Sequence, residues 1–214
     1  MLLASRFMHV WGGGGITSRW CRLATAKRRC SRHSGGVSTQ EMSASQADSK
    51  FPSAIPFPEE LRNLFLWKEK HGYPISGGFE LRDHDDGSVV LWFGSDRAVG
   101  RLAIFGAGPD GSMYALWLQD DGHCRVVHLG SEGQNLFVLA RDMRDFLLLL
   151  AVGYFELGFE DLSRPPDAEG INPQFRKWVA SQLSCVVPAT GGEIVRRAQS
   201  ASENFEKWVH QHTA

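Results

Sequence analysis

The sequence predicts an α+β fold, in which a mostly antiparallel sheet of about six strands is flanked by N-terminal and C-terminal helices. Three observations lead to this prediction. Residues 101–133 contain three apolar runs separated by turn residues, residues 142–153 form one strongly apolar helical run, and residues 172–210 have helical periodicity. Strands grouped together, with helices before and after them, are typical of the α+β class.

The centre of the predicted sheet is a three-stranded meander, with strands at 101–105, 112–118 and 123–129. The two links have turn chemistry, with Pro-Asp-Gly at 109–111 and Asp-Asp-Gly at 120–122. The central strand alternates, so one face carries Met113, Ala115 and Trp117 and the other carries Tyr114, Leu116 and Leu118.

Gly106, Gly108 and Gly111 match G-x-G-x-x-G, the fingerprint of dinucleotide-binding proteins. In that fingerprint the glycines must open a helix whose N-terminus holds a pyrophosphate. Here Gly111 is followed by an alternating, strand-like run, so we favour a hairpin turn over a nucleotide site.

Three further strands complete the prediction: Phe79–Asp83, Val89–Phe93 and Asn135–Ala140. We expect His84-Asp85-Asp86-Gly87 to be the turn of a hairpin that joins the first two, because Asp-Gly pairs favour tight turns.

Four helices are predicted. The first runs from Pro58 to a stop at Gly72, and the second is capped by Asp142 and stopped by Gly153. The third opens at Asn172-Pro173, and the last spans Thr190–His210. Because the second helix is apolar almost all round, we expect it to be buried, and we expect Phe146 on it to share one core with Trp117.

Charge is unevenly distributed along the chain. Residues 1–41 hold seven of the 23 Lys and Arg residues and one of the 24 Asp and Glu residues, so residues 42–214 carry 16 basic and 23 acidic residues, a net charge of −7. An acidic domain lacks the basic face that non-specific nucleic-acid binding needs, and it suits a basic protein partner. We therefore expect no nucleic acid as a partner.

The first 50 residues are expected to add nothing to the fold, as a disordered or spurious extension. Three alternatives remain open: translation that begins at Met42, a disordered tail, or an organellar transit peptide, which the Arg-rich, acid-poor composition resembles. We then expect a core domain at 51–165 and a C-terminal helical extension packed on it at 166–214. The apolar runs are too short to span a bilayer, so we expect a soluble, cytoplasmic protein without a membrane partner, or an organellar one if the transit peptide is genuine.

Local motifs for chemistry are missing from the sequence. The four cysteines form no C-x-x-C pair, and there is no P-loop, G-x-S-x-G elbow or H-E-x-x-H. His123 and His128 lie five apart in one predicted strand, so their side chains face opposite ways. We expect no metal, no cofactor and no catalytic residue.

Several segments together resemble the SUKH superfamily, the fold of yeast cell-wall-assembly regulators and of many bacterial immunity proteins against polymorphic toxins. The resemblance covers residues 55–212, and it lies in Gly111–Trp117, Val126–Gly133 and Val138–Leu147, with Phe175–Val179 and Phe205–Val209 near the C-terminus. It implies an α+β fold and binding of a protein such as a toxin, and it identifies no catalytic residue.

We therefore predict a non-enzymatic protein-binding module that neutralises a basic toxin domain, or a similar basic protein, by stoichiometric binding. The alternatives are an enzyme with an Asp, Glu and His site assembled from distant residues, which needs no local motif, and a regulatory scaffold protein. The expected partner contacts are carboxylates at turns, where a rigid sheet can display variable chemistry: Asp83, Asp85, Asp86, Asp120, Asp121 and Glu132.

Overall fold

The computed structural model describes residues 43–214. Within this range, one antiparallel sheet has the order β1-β2-β3-β4-β5, so each strand pairs with its neighbour in the chain. The five strands are β1 (Glu80–Leu81), β2 (Leu102–Ala107), β3 (Met113–Leu118), β4 (Cys124–Leu129) and β5 (Phe137–Ala140). The predicted α+β class is confirmed, with five strands in the described residues.

Helices flank this sheet on both sides. Seven α-helices occur in the described part of the chain: α1 (Ala44–Lys50), α2 (Glu59–His71), α3 (Asp86–Phe93), α4 (Met143–Val152), α5 (Pro173–Leu183), α6 (Gly192–Ser200) and α7 (Phe205–His212). None of them combines the length and the apolarity that crossing a bilayer requires.

The predicted cap of α4 is present, because the Asp142 carboxylate accepts the backbone N–H of Asp145 at 2.8 Å. The side chain of Asp145 does not complete a capping box but pairs with Arg141 at 2.8 Å. Helix α4 is buried along most of its length, as its apolar composition predicts. Asn172 likewise caps α5 by accepting two backbone N–H groups at 3.1 Å.

The predicted strand at Val89–Phe93 is wrong, because these residues lie in helix α3. The Asp85 side chain accepts the backbone N–H groups of Gly87 and Ser88 at 3.1 and 3.0 Å, and Gly94 ends the helix with a φ of 65°. A short apolar run is compatible with a strand and with a buried helix. The capping residues before and after the run therefore determine which of the two forms. Residues 84–87 are therefore the entry to a helix and not a hairpin turn.

The predicted helix at Thr190–His210 is two helices, α6 and α7. The Asn204 side chain accepts the backbone N–H of Lys207 at 2.8 Å and starts α7. The preceding Ser202 donates its hydroxyl to the carbonyl of Ala198 at 2.6 Å, which helps to end α6. The polar residues at 202–204 therefore end one helix and begin the next, although the apolar stripe of the sequence continues across them.

Both faces of the sheet are buried. One face packs against α2, α4 and α5 in a cluster that includes Phe105, Tyr114 and Phe146. The other packs against α3 and α7 in a cluster that includes Trp117 and Trp208. Trp117 and Phe146 therefore lie in separate cores on opposite faces of the sheet, and the expectation of one shared core is wrong.

Helix α6 lies along the edge strand β5 and contributes to both clusters, with Ile194 on one side and Ala198 on the other. Covering an edge strand removes unpaired backbone groups from solvent. The segment 166–214 is therefore an integral part of the core.

Residues 44–50 form helix α1, contrary to the expectation that residues 1–50 add nothing to the fold. Ala44 and Ala47 are buried in the larger cluster, and Asp48 pairs with Arg62 of α2 at 2.7 Å. The alternatives for the start of the chain concern residues 1–42, which lie outside the described residues.

Candidate functional site

The first three predicted contacts, Asp83, Asp85 and Asp86, support the local fold. Asp83 pairs with Lys50 of α1, and Asp85 caps α3. Asp86 lies 3.0 Å from Nε2 of His84, a buried histidine whose Nδ1 accepts the backbone N–H of Ile104 at 3.1 Å. Each carboxylate already has an internal partner, so its availability to another protein is reduced.

Asp120 and Asp121 occupy the β3–β4 turn, as predicted. Asp120 pairs with Arg101 at 2.6 Å, and the Asp121 carboxylate accepts the backbone N–H of His123 at 2.9 Å. Asp120 remains exposed, and a surface ion pair of this kind contributes at most about 1 kcal/mol to stability.

Glu132 lies in the β4–β5 loop and is exposed. In an antiparallel meander, successive links lie at opposite ends of the sheet, so this loop and the β3–β4 turn are separated by the length of a strand. Six residues at about 3.3 Å each make that separation roughly 20 Å. The six predicted carboxylates therefore do not form one contact surface.

The end of the sheet that carries Glu132 is crossed by residues 154–162, which we call the strap. Tyr154 anchors the strap, because its hydroxyl shares its one hydrogen between the carbonyls of Leu162 and Arg164, at 2.9 and 2.7 Å, and accepts the N–H of Gly191 at 2.9 Å. The carbonyl of Phe155 also accepts the backbone N–H of Gly78 at 2.9 Å. Backbone hydrogen bonds and the Tyr154 hydroxyl therefore help to hold the strap against the rest of the fold.

The strap turns an acidic side chain toward the protein and two aromatic side chains toward solvent. Phe155 and Phe159 are 59% and 54% exposed, whereas one carboxylate oxygen of Glu156 is buried. Leu157 of the same segment is buried in the core. In a surface loop, apolar side chains are usually buried and acidic side chains exposed, and the strap has the opposite arrangement. Exposed apolar groups of this kind mark interaction sites.

Below the strap, Glu156 and Asp110 of the β2–β3 loop lie close enough for each carboxyl group to shift the pKa of the other. Burial, the charge of Asp110 and the contact with it raise the pKa of Glu156. Burial acts to raise the pKa of Asp110 as well, but hydrogen bonding to Ser112 and Glu156 outweighs it, so the net shift is downward. The pKa values of the two carboxyl groups are therefore shifted in opposite directions.

His128 of β4 is fully buried next to this pair. Its Nδ1 lies 2.7 Å from the carbonyl oxygen of Asn135, so Nδ1 carries the hydrogen and Nε2 is an acceptor. Burial lowers the pKa of His128, which keeps the ring neutral. A Cβ added at Gly158 would lie 2.3 Å from Nε2, so only glycine lets the strap pass this close to the ring.

Three buried polar atoms at this point have no hydrogen-bond partner: Ser112 Oγ, His128 Nε2 and Glu156 Oε1. Ser112 Oγ lies close to Asp110 Oδ1 and to the Tyr114 hydroxyl, since all three atoms surround the position of a Cβ added at Gly108. We call Asp110, Ser112, His128 and Glu156 the strap site. Unpartnered buried polar groups are uncommon in folded proteins, so these three atoms make the strap site a candidate functional site.

Neighbouring acidic residues extend the strap site across three loops. Ser131 in the β4–β5 loop donates to Asp110 at 3.4 Å, and Glu132 follows it in the chain. Glu160 accepts the backbone N–H of Glu156 at 2.7 Å. This end of the sheet is therefore acidic, and Glu132 is the one predicted contact that belongs to it.

The glycines of the fingerprint-like motif lie in and next to the β2–β3 hairpin, as expected. Gly106 is required by packing, because an added Cβ would lie 2.4 Å from the ring of Phe79. Gly111 has a φ of 88° and closes the turn. In the described residues, no group of three or more His, Cys, Asp or Glu side chains has the geometry to hold a metal ion.

Sequence reasoning missed Glu156 and the unpartnered Nε2 of His128, since the strap site is assembled from the β2–β3 loop, β4 and the strap. The one local signal is the alternation of aromatic and acidic residues at 155–161. Comparison of the chain with protein families, with curated proteins and with solved structures finds no match.

Proposed function

We propose that this protein is a non-enzymatic binding module that holds a basic protein partner by stoichiometric contact. The observation that carries the proposal is the strap, which presents Phe155 and Phe159 to solvent. Aromatic side chains, phenylalanine among them, are enriched in the cores of protein interfaces. The contact surface we propose is the strap together with the β2–β3 and β4–β5 loops.

Charge supports a basic partner. Residues 42–214 carry a net charge of −7, and Asp110, Glu132 and Glu160 lie on the strap and the two loops that make up the proposed surface. Complementary charge accelerates association and suppresses wrong partners. The resemblance of residues 55–212 to SUKH proteins supports the same class of function, and a toxin domain is one partner of the right chemistry.

The test compares partner binding by the unchanged protein with partner binding by a double variant, Phe155→Ser with Phe159→Ser. A partner captured from the source cells by cross-linking is identified, purified and titrated against the protein by calorimetry. We expect one-to-one binding that weakens roughly thirtyfold in the double variant, because loss of an interface anchor costs about 2 kcal/mol. Leu66→Ser is the matched control, since Leu66 is 51% exposed and belongs to helix α2, which is not part of the proposed surface. Equal weakening by the control and the double variant would contradict the proposed surface.

A second candidate function is catalysis at the strap site, which brings an Asp, a Glu, a His and a Ser together from distant parts of the chain. The binding module is favoured because Ser112 and His128 are 0% exposed beneath the strap. Turnover of a substrate by the purified protein, lost in His128→Gln and retained in the double phenylalanine variant, would support the catalytic alternative instead.

A further inference from the structure

We propose that a cavity between helices α2, α4 and α5 binds a free α-amino acid with a small aliphatic side chain, held by the carboxylate of Glu60 and the guanidinium of Arg144. This site goes beyond the proposed function, because none of the three helices belongs to the strap or to the β2–β3 and β4–β5 loops. The two proposals are therefore tested independently of each other.

The cavity has a volume of about 110 Å³. Its lining is largely polar and aromatic, and it includes Glu60 and Asn63 of α2, Arg144 of α4, and Trp178 and Gln182 of α5. A cavity of roughly 150 Å³ holds benzene, so this volume suits a ligand of at most about six heavy atoms. A few polar groups placed around a concave site fix the orientation of such a ligand.

The first support is a pair of opposite charges that line the same cavity without pairing. Among the described residues, neither Glu60 nor Arg144 forms an ion pair. The neighbouring Glu59 differs, because it pairs with Arg62 at 3.4 Å. One carboxylate and one guanidinium therefore remain for a ligand, and they complement the two charges of an α-amino acid.

Each of these two charges is stabilised by a helix end. Glu60 lies in the first turn of α2, and Arg144 donates from Nη2 to the carbonyl of Leu183, the last residue of α5, at 2.6 Å. Acidic side chains are favourable near the N-terminus of a helix, and basic side chains are favourable near the C-terminus. The fold thus holds the carboxylate and the guanidinium at separate helix ends, where a ligand with both charges can bridge them.

The second support is the hydrogen-bonding capacity of the lining. Arg144 donates one side-chain hydrogen bond in the described part of the chain, so four of its five N–H donors remain for a ligand. A guanidinium group binds a carboxylate through two parallel hydrogen bonds. The amides of Asn63 and Gln182 supply further donors and acceptors in the same cavity.

The groups of an α-amino acid match this lining one by one. Its carboxylate fits the guanidinium of Arg144, and its ammonium group, which has donors and no acceptor, fits the carboxylate of Glu60. Leu147 and Trp178 provide apolar surface for the side chain. The small volume favours a short aliphatic side chain over a long or aromatic one.

The experiment titrates the full chain with L-alanine and follows the indole N–H signal of Trp178 by NMR, assigned with Trp178→Phe. L-alaninamide lacks the carboxylate and L-lactate lacks the ammonium group, and both are close to L-alanine in size. We expect L-alanine to bind with a Kd of about 1 mM or lower and each analogue to bind at least about tenfold more weakly, because each leaves one charge of the cavity without a partner. No binding of L-alanine at about 10 mM, or equal binding of all three compounds, would overturn the proposal.

Two variants test the two charges separately. Arg144→Gln should no longer distinguish L-alanine from L-alaninamide, and Glu60→Gln should no longer distinguish L-alanine from L-lactate, since each variant removes the partner of one ligand charge. Glu69→Gln is the matched control, because Glu69 is an exposed carboxylate of the same helix α2 and does not line the cavity. It should leave all three affinities unchanged.

The comparison of the three compounds uses the unchanged protein, so it decides the question even if a variant does not fold. Folded variants that keep both distinctions would show that Glu60 and Arg144 do not hold the ligand, and this would overturn the proposal. The phenylalanine test of partner binding would be unaffected by either result.

Discussion

Asp85 shows how a single exposed carboxylate can serve the fold at a position where a partner contact is expected. Its side chain accepts hydrogen bonds from the hydroxyl of Ser88 and the backbone N–H groups of Gly87 and Ser88. These bonds lower its pKa, with the Ser88 hydroxyl first among the causes. The ionised form is therefore the one that caps helix α3.

Replacement of Asp85 by Ala is expected to cost about 1 kcal/mol of unfolding free energy, the usual effect of removing an N-cap. Asp85→Asn keeps the acceptor and should cost less. Because the folded pKa is lowered, the contribution is present above the unfolded value near 3.8 and is lost as pH falls through the folded pKa. Urea unfolding of the protein and of both variants, at pH 7 and at acid pH, measures these changes in unfolding free energy. Glu132→Ala is the control, and a cost as large as that of Asp85→Ala would contradict the capping role.

At the level of single residues, sequence reasoning works where the partner is close in the chain. Asp142 and Asn172 are recognisable as caps because they bond N–H groups two or three positions ahead. The proximity of Asp110 to Glu156 cannot be predicted in this way, since the two residues lie in different loops that are far apart in the chain.

Among the secondary-structure elements, α1 and α3 differ most from the sequence-based expectation. The run at 89–93 contains β-branched and aromatic residues, which favour a strand, but the cap at Asp85 and the left-handed Gly94 favour a helix. Helix α1 is short and polar, yet Ser43 caps it with a complete capping box. In both cases the end residues outweigh the composition of the segment.

Comparison of two truncated proteins, one starting at residue 43 and one at residue 51, isolates the contribution of α1. We expect the shorter protein to be less stable by roughly 1–3 kcal/mol, from the burial of Ala44 and Ala47 and the ion pair of Asp48 with Arg62. In thermal unfolding this corresponds to a midpoint lower by several degrees. Equal midpoints would show that α1 does not stabilise the domain.

For the molecule as a whole, the sheet separates two apolar clusters. The alternation of residues 113–118 predicts this separation correctly, because odd and even positions face different clusters. It does not predict that both faces are covered, which depends on where α3, α6 and α7 pack. Helix packing is determined by distant parts of the chain, so patterns within one segment do not identify it.

We predict that Trp117→Ala and Phe146→Ala act independently. Each should cost about 3–5 kcal/mol, because both side chains are completely buried. Since they lie in separate clusters, the double variant should show the sum of the two costs to within about 0.5 kcal/mol. Denaturant unfolding of the four proteins measures the coupling. A coupling above about 1 kcal/mol would mean that the two clusters behave as one core.

The strand order has a consequence for how fast the chain can fold. From β2 to β5, every strand pairs with the next one along the chain through a short link, and only the pairing of β1 with β2 spans a helix. Such local pairings give a low contact order for a sheet protein, and low contact order goes with rapid folding. We expect the β2–β4 meander to form early and to provide the surface on which the helices from both ends of the domain later assemble.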